Sequence, residues 1–431
     1  MHFQTIAPVL GSLALASLVA AVPVQKRGFI AYGDRGDHIK AWQDSSSSSV
    51  APWGSQGTAS GGPGGGYPAP TASGSAPQQT GGSAPPTSNS GDDPFKFPLS
   101  NGFPVIQAGS PQLNAIEDQA HGLLPNGPPP PTPPADDDLT SLRLIAFNEL
   151  WEVAFFTELL ANITNNVAGY QFQDGAQKQA LVNAITAIQA QEELHTLNAN
   201  NALAHFNAGP IQPCEYIAGV DNLQDAISLA STFTDVVLGT LGDVQTHFGQ
   251  NGDAGLIRGV AAVIGQEGEQ NGFYRSLLGE LPSQAPFLTA SAREFAFSKL
   301  NQQFVVPGSC PNSNTIALPV FGVLNLLTSD VKAQDQSLQF SFSASGQYSK
   351  YSSTQGLSLV LINQQNVPVV EPITQAQVAK DGTVNFSANF PFNEFKMHGL
   401  TIAVVAQGSS FATVADVAKA TVFGPALIEV D

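Results

Sequence analysis

Charge is scarce in this chain and cysteine almost absent. Only 12% of the 431 residues are charged, and two are cysteine. Lys and Arg together number 16 against 34 Asp and Glu, a formal charge of −18. So acidic a balance excludes a surface built to hold nucleic acid through its phosphates. Two cysteines exclude a disulfide-dense mini-scaffold and a four-cysteine zinc site. Beyond the N-terminus no run reaches the ~18 uninterrupted apolar residues of a membrane helix, so no transmembrane segment is expected. Nor is there a nucleophile elbow, a phosphate loop or a catalytic cysteine–histidine pairing. What is plentiful is Gly (41) and Pro (31), and both are clustered.

The first residues have the pattern of an export signal. Residues 7–21 are uncharged and apolar and end in small residues, with Val19 and Ala21 placed for cleavage after Ala21. Lys26-Arg27 then reads as a dibasic processing site closing a propeptide over 22–27. The expected product is secreted, extracellular or wall-associated, with the cell wall or matrix as partner and no nucleic acid. In an oxidising compartment Cys214 and Cys310 are the only possible intramolecular pair, and closing a loop of that length stabilises by about 4–5 kcal/mol. Export also makes the sequons at Asn162 and Asn385 usable as sugar acceptors.

Composition divides the rest. Residues 28–135 are rich in Ser, Gly and Pro, and their apolar side chains are too sparse to offset the entropy of ordering. They read as a long disordered N-terminal region, although the stretch 93–124 holds enough apolar residues to dock onto a folded part. Asp136-Asp137-Asp138 then opens a helix, three carboxylates at the positive end of its dipole. Leu142, Ile145, Glu149, Glu152, Phe156, Leu159 and Ile163 follow at spacings of three and four. A second helix after Asp174-Gly175 carries Leu181, Ile185, Ile188, Glu192, His195 and Ala199 on one face. A third runs from about Asp221 to His247, a fourth from about Asp253 to Leu278, and a shorter fifth from Thr289 to Phe304. The fold expected over 136–310 is a mainly α four-helix bundle with a short fifth helix.

Helices three and four also carry Gly239, Gly242, Gly265, Gly268 and Gly272. An interior glycine costs up to about 1 kcal/mol against alanine, which close approach of the two helices would explain. Residues 311–431 alternate or run apolar at strand length between turn residues, and predict a small β-sandwich. Its default role is structural, with a glycan- or partner-binding surface as the other reading.

Chemistry concentrates on the helix seams. Glutamates at core-facing positions are costly unless neutralised, hydrogen-bonded or metal-bound. Glu192-x-x-His195 places a carboxylate and an imidazole one turn apart on one face, the spacing used by di-metal carboxylate bundles. Glu149 supplies the lone glutamate of the first helix, and Glu267-x-x-Gln270 stands where a second Glu-x-x-His belongs. Glu152 reads as a paired or edge acid, and His205 and His247 as surface or capping residues near helix ends. A metal-free hydrogen-bonded relic of such a site is the competing reading of the whole set.

The run Phe147-Asn-Glu-Leu-Trp-Glu-Val-Ala-Phe-Phe-Thr-Glu-Leu-Leu, with Gln191-Glu-Glu-Leu-His-Thr-Leu, resembles the first two helices of the ferritin-like domain of secreted fungal proteins. Those proteins are described as late sexual development and stress-response proteins, and related domains occur in plant desiccation-related proteins. The resemblance spans residues 136–310. It implies a ferritin-like bundle and a secreted product linked to development or stress, with iron or manganese as the metal. It places Glu149, Glu192, His195 and Glu267 on ligand positions. The pattern departs at Gln270, where a histidine is expected, and on the third helix, where Thr234 holds the seam and Asp235 lies one residue off it. Phe156 replaces a tyrosine. Two roles are compatible with this: a non-catalytic secreted protein with a degraded di-metal site, or a metal-dependent oxidoreductase of ferroxidase or peroxide-scavenging type.

Overall fold

The structure, a computed structural model, describes residues 30–32, 38–44 and 93–430. The signal segment 1–21, the Lys26-Arg27 site and residues 45–92 of the low-complexity tract lie outside the described residues. In chain order come β1 (Ile30–Tyr32), α1 (His38–Asp44), α2 (Pro111–Ala120), α3 (Asp136–Thr164), α4 (Gly175–His205), α5 (Leu223–Asn251), α6 (Ile257–Leu277) and α7 (Arg293–Gln303). The C-terminal part holds β2 (Leu324–Leu326), β3 (Gln336–Ser343), β4 (Leu357–Asn363), β5 (Val369–Pro372), β6 (Thr374–Val378), β7 (Thr383–Phe390), α8 (Phe392–Phe395), β8 (Gly399–Gln407), α9 (Val414–Ala420) and β9 (Thr421–Val430).

Helix boundaries follow capping chemistry. Asp174 accepts a hydrogen bond from Ala176 N at 2.7 Å and starts α4. Asn222 does the same for α5 through Asp225 N, and Gly252, at φ 88°, ends that helix in the left-handed conformation. α3 lacks a side-chain cap and has three aspartates in its first turn instead. α3 packs along α4 and α5 along α6, with α7 against α3 and α5. Trp151 of α3 sits at the centre, its ring 4.1 Å from Phe233 and 4.4 Å from Phe304 between ring centres. α5 is long and apolar enough to cross a membrane, and 83% of its most apolar window is buried within the fold.

Folded structure begins earlier than a linker over 28–135 implies: the stretch 93–124 docks onto the helices, and residues 30–32 and 38–44 also join the fold. β1 pairs in parallel with β9, and α1 packs on α5. Phe95 and Tyr216 exchange backbone hydrogen bonds of 2.7 and 3.1 Å. α2 buries Leu113, Ile116 and Ala120 against α4, each large aliphatic stabilising by about 1.5–3 kcal/mol. These few apolar residues were diluted by averaging over a Gly/Pro-rich stretch.

The strands form two sheets, ordered β1-β9-β8-β4-β5 and β2-β3-β7-β6. Their facing sides share one core, with Phe340 and Phe386 from the smaller sheet against Leu359, Val405 and Ile428 from the larger. This is a sandwich. The other face of the larger sheet is also covered. Val360, Ile402, Val404 and Leu427 pack on Val236 of α5, Phe295 and Ala296 of α7, and Val417 of α9. Burial on both sides explains why β4 and β8 read as continuous apolar runs. The helices and the sandwich therefore share a core across residue 310.

Close approach of the two helices does not account for these glycines, and Gly239 has a different cause. A Cβ at Gly239 would collide with the Thr289 carbonyl oxygen, because residues 289–291 run directly over α5 there. Thr289 in turn ties that segment to the sheet, donating to Leu400 O at 2.6 Å and accepting from Gln364 N at 2.8 Å. Gly242, Gly265 and Gly268 face open space.

Candidate metal centre

Three helices deliver four side chains to one point. α3 brings Glu149, α4 brings Glu192 and His195, and α6 brings Glu267. One donor atom from each lies within 4.8 Å of all the others. His195 Nδ1 is 2.8 Å from Glu192 Oε2, 3.5 Å from Glu149 Oε2 and 3.8 Å from Glu267 Oε1. All three glutamates are 1% exposed, and the His195 side chain is 15% exposed. The i, i+3 spacing on α4 makes Glu192 and His195 neighbours, and packing against α3 and α6 does the rest.

Around this group lies a ring of amides and one more acid. Glu152, one turn after Glu149, accepts a hydrogen bond from Asn148 Nδ2 at 2.9 Å. Gln270 Nε2 donates to Glu192 Oε1 at 2.8 Å and to Gln191 Oε1 at 3.1 Å. Gln266 Nε2 donates to the same Gln191 oxygen at 3.0 Å. The Tyr274 hydroxyl lies 3.5 Å from Gln270 Oε1, and its ring stacks on Phe156 with centres 6.0 Å apart.

The inward-facing atoms remain unmatched. Glu149 Oε2, Glu192 Oε2, both Glu267 oxygens and His195 Nδ1 are buried without a well-formed hydrogen bond. The close His195–Glu192 contact is thus an ion-pair distance with poor hydrogen-bond direction. Burial dominates the proton affinities. It pushes the Glu149 carboxyl up to about 7, with His195 pulling down and Glu192 pushing up. Glu152 and Glu267 are held well above the usual carboxylate range by burial and then by their carboxylate neighbours. Burial alone would lower the His195 imidazole, but Glu192 and Glu149 outweigh it and raise its pKa well above the ordinary value. Three carboxylates thus face a single imidazole in a largely buried setting, with the Glu152 carboxyl close behind them.

A divalent cation satisfies what these groups lack. Three carboxylates and one imidazole, with no thiolate, suit manganese, iron or zinc. Donors about 2.1 Å from one ion stand roughly 3–3.5 Å from each other, and the spacings from His195 straddle that range. The donor set and its orphaned oxygens therefore fit a single ion.

Other residues named from sequence fall elsewhere. Asp235 turns away from the group and accepts from Asn271 Nδ2 at 2.9 Å, while Ser231 donates to Asn271 Oδ1 at 2.8 Å. Thr234 is buried beside it. Gln270 belongs to the site as a hydrogen-bond donor to a ligand. Cys214 and Cys310 are joined in a disulfide. Asn162, the other sequon asparagine, is 9% exposed on the last turn of α3. Asn385 is exposed on β7. His205 lies at the end of α4 against Phe206, and His247 pairs with Asp137 at 2.7 Å. Glu152, read as a paired or edge acid, is buried beside the centre, and Tyr274 joins it from α6. The signal for Tyr274 was its place two turns along the same face as Glu267.

No family model matches this chain, and no curated protein matches it.

Proposed function

We propose that this is a secreted protein whose helical part is a ferritin-like bundle holding one transition-metal ion, iron or manganese, in a non-catalytic role tied to fungal development or stress. The observation that carries the metal is the convergence of Glu149, Glu192, His195 and Glu267 with their inner oxygens lacking donors. A hydrogen-bonded relic would aim amides or hydroxyls at those oxygens, as Gln270 does at the outer oxygen of Glu192. Bound there, the ion would supply positive charge in the core and, if iron or manganese, an accessible change of oxidation state.

The same Gln270 favours one ion over two. Its amide nitrogen carries protons and cannot ligate a transition metal, and it occupies the Glu192 oxygen that a second ion would need. With α5 contributing Thr234 and Asp235 away from the group, the second half of a di-metal site is missing its ligands. That loss weighs against the ferroxidase or peroxide-scavenging reading, which needs two cooperating ions. The resemblance of the first two helices supports the bundle and the developmental or stress setting.

Elemental analysis of chain expressed with iron and manganese tests this directly. One equivalent of metal per chain is expected, lost in Glu192→Ala. Metal-free protein, or metal retained by Glu192→Ala, refutes it.

A further inference from the structure

We infer that the outer face of the sheet β2-β3-β7-β6 is the docking platform of a glycan carried on Asn385. On β7, Val384, Phe386, Ala388 and Phe390 point into the sandwich core. The alternate residues point outward, and Asn385 is exposed among them. Backbone register places it in a row that crosses all four strands. Asn325 pairs with Ser341, Ser341 with Asn385, and Asn385 with Gln377. Gln339 and Ser387 pair in the neighbouring row. Ser387 is also the third residue of the sequon and shares its face.

Every outward position of β3 and β7 is Ser, Thr, Asn or Gln; Ser341 and Ser387 lie buried beneath their neighbours Asn325 and Gln375, and Ser337, Gln339, Ser343, Asn385 and Asn389 are exposed. In a chain of net charge −18 this face carries no ionised group on its two central strands. That chemistry decides the occupant. Its strands carry no cation for phosphate, and its two central strands no outward aromatic or aliphatic side chain for an apolar partner, exposed Val378 lying at the end of edge strand β6. Rows of uncharged donors and acceptors, about 4.8 Å apart from strand to strand, suit a neutral polyhydroxylated chain. The sequon at the centre of the row supplies one in place, tethered where its own sugars lie over the face. A second copy is disfavoured at the edges, because β2 has three residues and β6 is interrupted by an irregularity between Thr374 and Gln377. The buried Asn162 sequon serves as an internal contrast. The inference rests on export of the chain and not on the metal.

The test uses the full chain secreted from a eukaryotic host. Intact mass should show one N-linked glycan, absent in Asn385→Gln and unaffected by Asn162→Gln. Trimming it to a single N-acetylglucosamine should lower the melting midpoint by a few degrees. It should also speed hydrogen exchange in β6 and β7 while leaving β8 and β9 unchanged. Gln339→Lys with Gln377→Lys, which keeps the sequon, should reproduce that faster exchange in untrimmed protein. No glycan at Asn385 overturns the inference, and so does a glycan whose trimming changes neither quantity. Retention of Asn385→Gln protein on insoluble glucan, lost with the two lysines, would assign the face to a free polysaccharide instead. Metal content would stay as in the untreated protein in every arm.

Discussion

Replacing Glu267 by glutamine separates a metal centre from a hydrogen-bonded network by the sign of a stability change. Both Glu267 oxygens are buried without a hydrogen bond, close to Glu149, Glu152 and Glu192 and with His195 Nδ1 at 3.8 Å. An unsatisfied buried polar group costs about 1–3 kcal/mol. Glu267→Gln removes one potential charge and offers two N–H groups to the neighbouring carboxylates. The chelator-stripped variant should therefore be more stable than stripped wild type by about 1–2 kcal/mol. Metal reverses the order. At an ion concentration a hundredfold above Kd, wild type gains about 2.7 kcal/mol. The variant, with one of four ligands gone, should gain little. Urea or thermal unfolding of both proteins, with and without manganese or ferrous ion under argon, gives the four numbers. If stripped Glu267→Gln is the less stable protein and neither responds to metal, the carboxylate belongs to a satisfied network and the proposed centre is wrong.

Three further outcomes follow from packing and charge. Gly239→Ala should destabilise by about 1–3 kcal/mol through its collision with the Thr289 carbonyl, whereas Gly265→Ala and Gly268→Ala should stabilise by up to about 1 kcal/mol each; thermal melts showing the same sign at all three positions would contradict the packing described. Burial holds the Lys299 amine down to about 7 from 10.5. The unfolded chain then binds the extra proton between those values, so stability should rise with pH from about 7 upward, and Lys299→Met should flatten that rise in denaturation series at pH 6.5, 8 and 9. Reducing Cys214–Cys310, which are 96 residues apart, should cost about 4–5 kcal/mol in the chain-entropy account, read as a lower melting midpoint with reductant.

The helices were legible because their signals are local. α3 starts at the aspartate run and α4 follows Asp174, as spacing and capping indicated. Glu149, Glu192, His195 and Glu267 stood out as acids and an imidazole in apolar stripes, and the helices bring all four together. What stayed hidden depends on partners distant in sequence. Nothing near Phe95 announces its backbone pairing with Tyr216, and nothing near Asn101 its hydrogen bonds of 3.0 and 3.2 Å to Glu193. Gly239 looks like Gly265 in the sequence, yet only the first lies under another segment. Asp235 shows how one residue of phase decides a role: a 100° step around α5 hands its carboxylate to Asn271. Asn162 satisfies the sequon rule, but the packing that buries it comes from residues the motif does not include.

The sheet covered on both sides sets an order of assembly. α7 precedes β8 by roughly a hundred residues and α5 by roughly 150, and helices form from local contacts while sheets wait for distant ones. A chain emerging from synthesis therefore presents Val236, Phe295 and Ala296 as a bare greasy strip before Ile402, Val404 and Leu427 exist to cap it. Through that interval the nascent protein is adhesive, and its yield depends on chaperones and on the speed with which the remaining chain arrives.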